Sequence, residues 1–84
     1  MTMTVLFFAS LREALGVPSL LVDAPPHVTS VADLRDYLAA RGDAWVALTQ
    51  TRNLRAAVNQ SVVDFTASVK DGDEVAFFPP VTGG

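Results

Sequence analysis

The sequence contains no cysteine and a single histidine, His27. The absence of cysteine excludes disulfide bonds, iron–sulfur clusters, thiolate zinc sites and a cysteine nucleophile. One histidine excludes a histidine-rich metal site. His27 lies in a Pro-Pro-His-Val segment without an evident serine or acidic partner in the sequence. We therefore interpret it as a surface loop residue and expect no metal in this chain.

Positive charge and long apolar runs are also scarce. Nine acidic residues against six basic ones give a net charge of −3, the wrong sign for a protein that binds a phosphate backbone. The apolar run Val5–Ala9 is shorter than the ~7–15 residues of a secretory signal core. It is also far shorter than the ~20 residues of a membrane span. We expect no nucleic-acid partner, no membrane association and a cytoplasmic location.

Charged residues make up 18% of the chain, against a typical ~25%, whereas hydrophobic residues make up 50%. The 84 residues are enough for one domain with one modest core. Some of the apolar material should then lie on the surface, where it marks an interface. The alternative is a generous core with an alanine-rich surface, and composition leaves both interpretations open.

Hydrophobic periodicity and turn residues predict an α+β domain of two layers, with one main helix packed against one face of a sheet. The main helix is predicted over Val31–Arg41, with Ser30 as N-cap, Asp33 as the capping-box acid and Gly42 after its end. A second short helical piece, capped by Asp43, carries Trp45 and Leu48. The remaining predicted elements are the strands Thr2–Ala9, Ser19–Ala24, Arg55–Asn59, Val62–Phe65 and Glu74–Phe78 and a helical turn or two at Leu11–Leu15.

Strand alternation assigns the side chains of the first and last strands to two faces of the sheet. One helix can cover only one face, and we assign to it Val5, Phe7, Val75 and Phe77, against Val31, Leu34 and Leu38. The open face then holds Phe8, Val62 and Phe78, which we predict to be a partner interface. The alternative is that loops or the Trp45 segment cover this face.

Conventional catalytic sets are nearly absent from the sequence. Asp71, Asp73 and Glu74 lie close together, but their spacing does not match a calcium-binding loop, and a turn is the favoured interpretation. There is no phosphate-binding glycine motif, and Lys70 is the only lysine. The chain therefore does not resemble a self-sufficient enzyme.

The C-terminal segment carries the most informative signal. We predict a domain over residues 1–78 and an extended tail over residues 79–84 that ends in Gly-Gly. Pro79 and Pro80 stop the sheet ladder and keep the tail extended, at ~3.1 Å per residue in polyproline II geometry. A stiff arm with a slim tip can enter a narrow tunnel in another protein and present its α-carboxylate there. A partner with ATP can convert that carboxylate to an acyl-adenylate.

At these residues the chain resembles a known family, the MoaD family of ubiquitin-like sulfur carriers, which are small subunits of molybdopterin synthase. The resemblance covers essentially the whole chain, and its most specific block is the run from Asp71 to Gly84. The other segments that carry it are Val5-Leu6-Phe7-Phe8-Ala9, Leu11-Arg12-Glu13, the Trp45 segment and Ala56-Ala57-Val58-Asn59-Gln60.

The resemblance implies a ubiquitin-like β-grasp fold, with a mixed sheet packed on one main helix and with the first and last strands adjacent and parallel. It implies that an E1-like activating enzyme uses ATP to adenylate Gly84, which is then converted to a thiocarboxylate (1-thioglycine). The residues that insert into the large subunit would be Pro79, Pro80, Val81, Thr82 and Gly83. The carrier would donate sulfur to cyclic pyranopterin monophosphate there. The resemblance further implies a heterotetramer of two small and two large subunits. The chain itself would be non-catalytic and bind no cofactor, since the active site lies mainly in the large subunit.

Two other classes of function remain open. One is a carrier or modifier for another pathway, such as thiamine synthesis, transfer-RNA thiolation or conjugation to lysines. The other is a passive β-grasp interaction domain whose tail is incidental. The Phe-Phe-Pro-Pro-Val-Thr stretch argues against the first, and the bare Gly-Gly end argues against the second.

Overall fold

The structure is a computed structural model that describes residues 1–80. It contains a mixed five-stranded sheet with the strand order β2-β1-β5-β3-β4, packed on one main helix. The predicted two-layer α+β architecture is therefore confirmed. The elements are β1 (Thr2–Phe7), α1 (Ala9–Leu15), β2 (Ser19–Asp23), α2 (Val31–Ala39), a 3-10 helix (Asp43–Val46), α3 (Ala47–Gln50), β3 (Arg55–Val58), β4 (Ser61–Val63) and β5 (Glu74–Phe78).

The first and last strands, β1 and β5, lie side by side and run parallel at the centre of the sheet. The other neighbouring strands pair antiparallel: β1 with β2, β3 with β5 and β3 with β4. The expected adjacency of the first and last strands is therefore confirmed. Because β5 is central, the chain leaves the middle of the sheet at Phe78 rather than an edge.

Several predicted boundaries are wrong by one or two residues, and residues with positive φ explain two of them. β1 ends at Phe7 because Ala9 has a φ of 53°, which turns the chain into α1. β3 ends at Val58 because Asn59 and Gln60, with φ of 50° and 72°, form the turn to β4. Two consecutive residues with positive φ are typical of a type I′ hairpin turn.

The main helix ends at Ala39 rather than Arg41. The amides of Arg41 and Gly42 donate to the carbonyls of Leu38 and Ala39, three residues earlier, so the last turn tightens beyond α-helical geometry. Gly42 then takes a φ of 77° and a ψ of −169°, an extended conformation with positive φ that glycine adopts without strain.

The structure confirms the helical piece that contains Trp45 and Leu48, but the prediction that Asp43 caps it is wrong. Asp43 is the first residue of the 3-10 helix, Gly42 stands before it, and no side chain caps this end. Leu48 is buried, and the Trp45 ring meets Phe7 edge-on with ring centroids 5.6 Å apart.

The predicted N-terminus of α2 is confirmed in detail. The Asp33 amide donates to Ser30 Oγ at 3.1 Å, and the Ser30 amide donates to Asp33 Oδ2 at 3.2 Å, which completes a capping box. The Thr29 amide and hydroxyl also donate to Asp33 Oδ2. These hydrogen bonds, those from Thr29 first, favour the charged carboxylate and lower the pKa of Asp33.

The covered face of the sheet is the one that alternation predicts. Val5, Phe7, Val75 and Phe77 are at most 1% exposed, and so are the three residues that α2 packs against them, Val31, Leu34 and Leu38. The Phe7 and Phe77 rings stack with centroids 6.4 Å apart. Trp45 contacts Phe7 on this same side, so the alternative in which the Trp45 segment covers the open face is wrong.

Phe77→Ala should cost ~3–5 kcal/mol of folding free energy, because it removes a fully buried ring from this core. Phe78→Ala should cost much less, because Phe78 is half-buried and points to the opposite face. Chemical denaturation of both variants checks the assignment. Equal losses for Phe77→Ala and Phe78→Ala would contradict it.

Candidate functional site

The side of the sheet that faces away from α2 forms a continuous apolar surface, which we call the open face. Strand register places Leu6 beside Ala76, Ala76 beside Ala57, and Ala57 beside Val62, so these side chains cross four strands in one row. Phe78 lies two residues beyond Ala76 on the same face. The open face as defined here comprises Leu6, Phe8, Ala57, Val62, Ala76 and Phe78.

The structure brings together the predicted interface residues Phe8, Val62 and Phe78 on this face. Phe8 is 46% exposed and Val62 is 59% exposed, whereas Phe78 is half-buried. Phe8 lies one residue past the end of β1, but its backbone stays extended and its amide donates to the Phe77 carbonyl at 3.3 Å. Strand alternation therefore continues through Phe8. Exposed apolar side chains on one contiguous surface are typical of an interaction site.

Small side chains flatten the middle of the open face. Ala57 and Ala76 are 8% and 9% exposed, because their neighbours on either side shield them. The larger side chains stand around this flat centre, Phe8 and Phe78 toward the C-terminal end of β5 and Val62 on β4. Such a surface suits close packing against another flat apolar surface.

The tail leaves the sheet directly beside this face. β5 ends at Phe78, and Pro79 and Pro80 follow, both half-buried and both without an amide hydrogen to continue the ladder. The other predicted tail residues, Val81, Thr82, Gly83 and Gly84, lie outside the described residues. Their proposed roles therefore stay predictions.

A groove of about 920 Å³ adjoins the tail exit. Pro80 lines it together with the start of β3, the end of β4 and the turn after β4, and it reaches the open face at Val62. Sequence reasoning did not find this groove. Its position depends on the pairing of β3 with both β4 and β5, and the β3–β5 pairing joins residues far apart in sequence.

Asn59 and Asp73 hold the β3–β4 turn against the start of β5. Asn59 Nδ2 donates to Asp73 Oδ1 at 3.1 Å, and the Glu74 amide donates to Asn59 Oδ1 at 3.0 Å. The Lys70 amide donates to Asp73 Oδ2 at 2.9 Å, and Asp73 is only 5% exposed. These contacts fix β5 relative to β3 and therefore the shape of the open face. Asn59 was not among the predicted site residues.

The carboxylates near residue 72 act as turn residues in this structure. Asp71 accepts the Thr2 amide at 2.7 Å, and Asp73 accepts the donors described above. Within residues 1–80, no group of three or more histidine or acidic side chains is arranged to hold a metal ion. His27 is exposed in the turn that the Val28 amide closes onto the Pro25 carbonyl, as predicted for a loop residue.

The topology and the exposed sheet face beside a C-terminal tail define a ubiquitin-like β-grasp domain. The family model described as "ThiS family" matches residues 5–84, and the chain belongs to this family. The chain is 49% identical over 80 residues to a protein of Escherichia coli (strain K12) named "Molybdopterin synthase sulfur carrier subunit", covering 95% of this chain and 96% of that protein. The family resemblance of the sequence is thereby confirmed.

Two solved structures show the same fold. The small archaeal modifier protein 1 of Haloferax volcanii has a TM-score of 0.77 at 27% identity, covering 95% of this chain and 98% of that one. A chain in the complex of subunits 1 and 2 of molybdopterin-converting factor from Helicobacter pylori has a TM-score of 0.67 at 25% identity, and each chain is covered over 100%. Among residues 1–80, no helix is long and apolar enough to cross a membrane.

Asn59→Ala should destabilise the domain by ~1–3 kcal/mol, because it removes two hydrogen bonds, one of them to a buried carboxylate, and puts alanine at positive φ. Asn59→Gly is the matched control. It removes the same hydrogen bonds but accepts the backbone conformation, so its loss should be smaller. Thermal and chemical denaturation measure both variants. Wild-type stability of Asn59→Ala would contradict the role assigned to these contacts.

Proposed function

We propose that this chain is the sulfur-carrier subunit of molybdopterin synthase and acts in molybdenum cofactor biosynthesis. The observation that carries the proposal is the 49% identity to the Escherichia coli subunit over nearly the full length of both proteins. The family match extends through residue 84 and so includes the terminal Gly-Gly. A flat apolar face beside the tail exit is the surface that a carrier needs for docking on a partner.

In the proposed reaction, the Gly84 carboxylate attacks the α-phosphorus of ATP on an E1-like activating enzyme. Pyrophosphate leaves and an acyl-adenylate forms. Hydrosulfide (HS⁻) from the sulfur source then attacks the acyl carbon, the bond to AMP breaks and a proton is released, which leaves Gly84 as a thiocarboxylate. The chain supplies only the acyl group and binds no cofactor of its own. Glycine suits this position, because it places no Cβ beside the reacting carbonyl.

The proposed partner in sulfur transfer is the large subunit of molybdopterin synthase. The Helicobacter pylori structure is a protein–protein complex of subunits 1 and 2, and it contains a chain with the fold of this protein. We propose that the open face packs on the large subunit while residues 79–84 enter its active site and deliver sulfur to cyclic pyranopterin monophosphate. Two small and two large subunits would form a heterotetramer in the cytoplasm.

A second candidate function is that of a protein modifier. The similarity to small archaeal modifier protein 1 supports it, because that protein shares the fold over nearly its whole length. The two functions use the same activated C-terminus and differ in what attacks it. Sulfur yields a thiocarboxylate, and a lysine amine of another protein yields an isopeptide bond. Mass spectrometry after incubation with the activating enzyme, ATP and a sulfur source distinguishes the two products.

Removal of Gly84 should abolish formation of the thiocarboxylate and sulfur transfer, because the shortened arm places its carboxylate ~3 Å short of its target. The fold should be unchanged, since the deleted residue lies beyond Pro80. The measurement is the mass change of replacing one carboxylate oxygen by sulfur, followed by a synthase assay with the large subunit. A variant with one added glycine is the matched control for tail length. Normal turnover by the truncated protein would contradict the role of Gly84.

Phe78→Ala should weaken binding to the large subunit by ~2 kcal/mol or more, as loss of a buried aromatic anchor does. Isothermal titration calorimetry with the purified large subunit measures this loss. Tyr37→Ala, which removes an exposed aromatic ring on α2 in the opposite layer, is the control and should bind as the wild type does. If Phe78→Ala binds as tightly as the wild type, the open face is not the interface.

A further inference from the structure

An arginine stands beside the aromatic anchor of the open face. Arg55 is the register partner of Phe78 across the β3–β5 pair, so both side chains lie on the same side of the sheet. Arg55 is exposed and lines the groove at the tail exit together with Pro80. This cation is therefore continuous with the surface that we propose for the large subunit.

Arg55 has no charge partner among the described residues. Within residues 1–80, the ion pairs are those of the Met1 amine with Asp23 and of Arg35 with Asp36. Asp64 lines the same groove, but it does not come within the 4.0 Å of Arg55 that an ion pair requires. The guanidinium is thus available to a carboxylate on another protein.

Charge is unevenly divided between the two ends of the sheet. At the start of β1 and β5 the side chains are mainly acidic. Asp23 is the register partner of Thr2, and the Asp71 carboxylate accepts the Thr2 amide. Asp73 directly precedes β5, and Glu74 is its first residue. Lys70 is the basic side chain near this end, and its carbonyl accepts the Asp73 amide.

The other end of the sheet, where the tail leaves, carries more positive charge. Arg55 is the first residue of β3, Arg52 lies in the loop just before it, and Arg12 lies in α1, the helix that follows β1. Glu13 and Asp64 offset these arginines only in part. A chain with a net charge of −3 therefore has three of its six basic side chains, Arg12, Arg52 and Arg55, on the elements at this end of the sheet.

We propose that Arg55 is a charge determinant of docking on the large subunit. The partner surface that receives Phe78 carries an apolar centre and, next to it, carboxylates that face Arg55. This inference rests on the proposed function and names the chemistry of the partner surface. A planar guanidinium pairs with a carboxylate through two parallel hydrogen bonds and so fixes orientation as well as contact.

A protein carboxylate suits this position better than a phosphate group. Arg55 is the positively charged side chain that lines the groove, and Asp64 is the negatively charged one. Asp64 repels a doubly charged phosphate more strongly than a singly charged carboxylate. The apolar face beside Arg55 requires an apolar surface in contact with it, which a protein partner supplies. Exposed charge pairs add little affinity, but they steer the encounter and raise the association rate.

The test compares two charge reversals that change the net charge equally, from −3 to −5 in each case. Arg55→Glu places the reversal beside the tail exit, and Lys70→Glu places it at the far end of the sheet. Association and dissociation rates with the purified large subunit are measured at ionic strengths of about 0.02 M and about 0.3 M, where screening differs strongly. Thermal denaturation verifies that each variant is folded.

Arg55→Glu should lower the association rate at low ionic strength by about tenfold or more and should reduce its dependence on salt. Lys70→Glu should change the rate by less than about threefold, since a charge far from the contact steers weakly. Arg55→Lys should keep most of the wild-type rate, because the positive charge remains. Arg55→Gln replaces Arg55→Glu if the reversal unfolds the domain, and it should slow association by a smaller factor.

Equal effects of Arg55→Glu and Lys70→Glu would overturn the inference, because net charge alone would then explain them. An unchanged association rate for Arg55→Glu would also overturn the inference about Arg55. If Phe78→Ala nevertheless binds the large subunit more weakly than the wild type, the proposed function still stands. If the wild type itself does not bind the large subunit, the proposed function fails as well. Faster association by Arg55→Glu would show that the partner surface is basic and would overturn the inference too.

Discussion

The parallel pairing of Thr4–Phe7 in β1 with Glu74–Phe77 in β5 determines the rest of this structure. It puts the C-terminal strand in the centre of the sheet, so the tail emerges between other strands and not at a free edge. It also aligns the alternating side chains of both strands. Phe7 and Phe77 then stack on the covered face, and Leu6 and Ala76 lie side by side on the open face. Core and candidate interface thus follow from one register.

That register is itself held by contacts at the start of β5. The carboxylates of Asp71 and Asp73 accept hydrogen bonds from the β1 backbone, from Asn59 and from the loop before β5. A slip of one residue would move Val75 and Phe77 to the open face and bury Phe78 in their place. The hydrogen-bonded carboxylates at this turn, the exposed Asp71 and the buried Asp73, therefore stabilise the register on which both the interface and the core depend.

Strand alternation and turn chemistry predicted the fold well. The faces of Phe7, Phe77 and Phe78 follow from a period of two, and the capping box of α2 follows from Ser30 and Asp33. Two of the boundary errors occur where residues take positive φ, at Ala9 and at Asn59 and Gln60, because the sequence does not show which residues of a turn do so. The elements were therefore predicted correctly, with some of their ends displaced.

The candidate site could be predicted only in part, and the reason is physical. Phe8, Val62 and Phe78 were predicted because one helix can cover only one face of the sheet. Apolar side chains that alternation assigns to the other face must then lie on the open face. The groove, the position of Arg55 beside Phe78 and the Asn59–Asp73 contact depend on the β3–β5 register, which joins residues about twenty positions apart. No local pattern encodes such a pairing.

The distribution of nucleophiles fits the proposed carrier chemistry. An acyl-adenylate is attacked readily by amines and thiols, and this chain has no cysteine and one lysine among its six basic residues. Lys70 precedes β5, whereas the tail follows it, so the length of the strand separates the amine from the tail exit. The basic side chains near the exit are arginines, whose delocalised guanidinium groups are poor nucleophiles and do not compete for the acyl carbon. The positively charged side chains beside the tail therefore do not react with the acyl-adenylate that is proposed to form at Gly84. In the proposed reaction, the attacking group comes from another molecule.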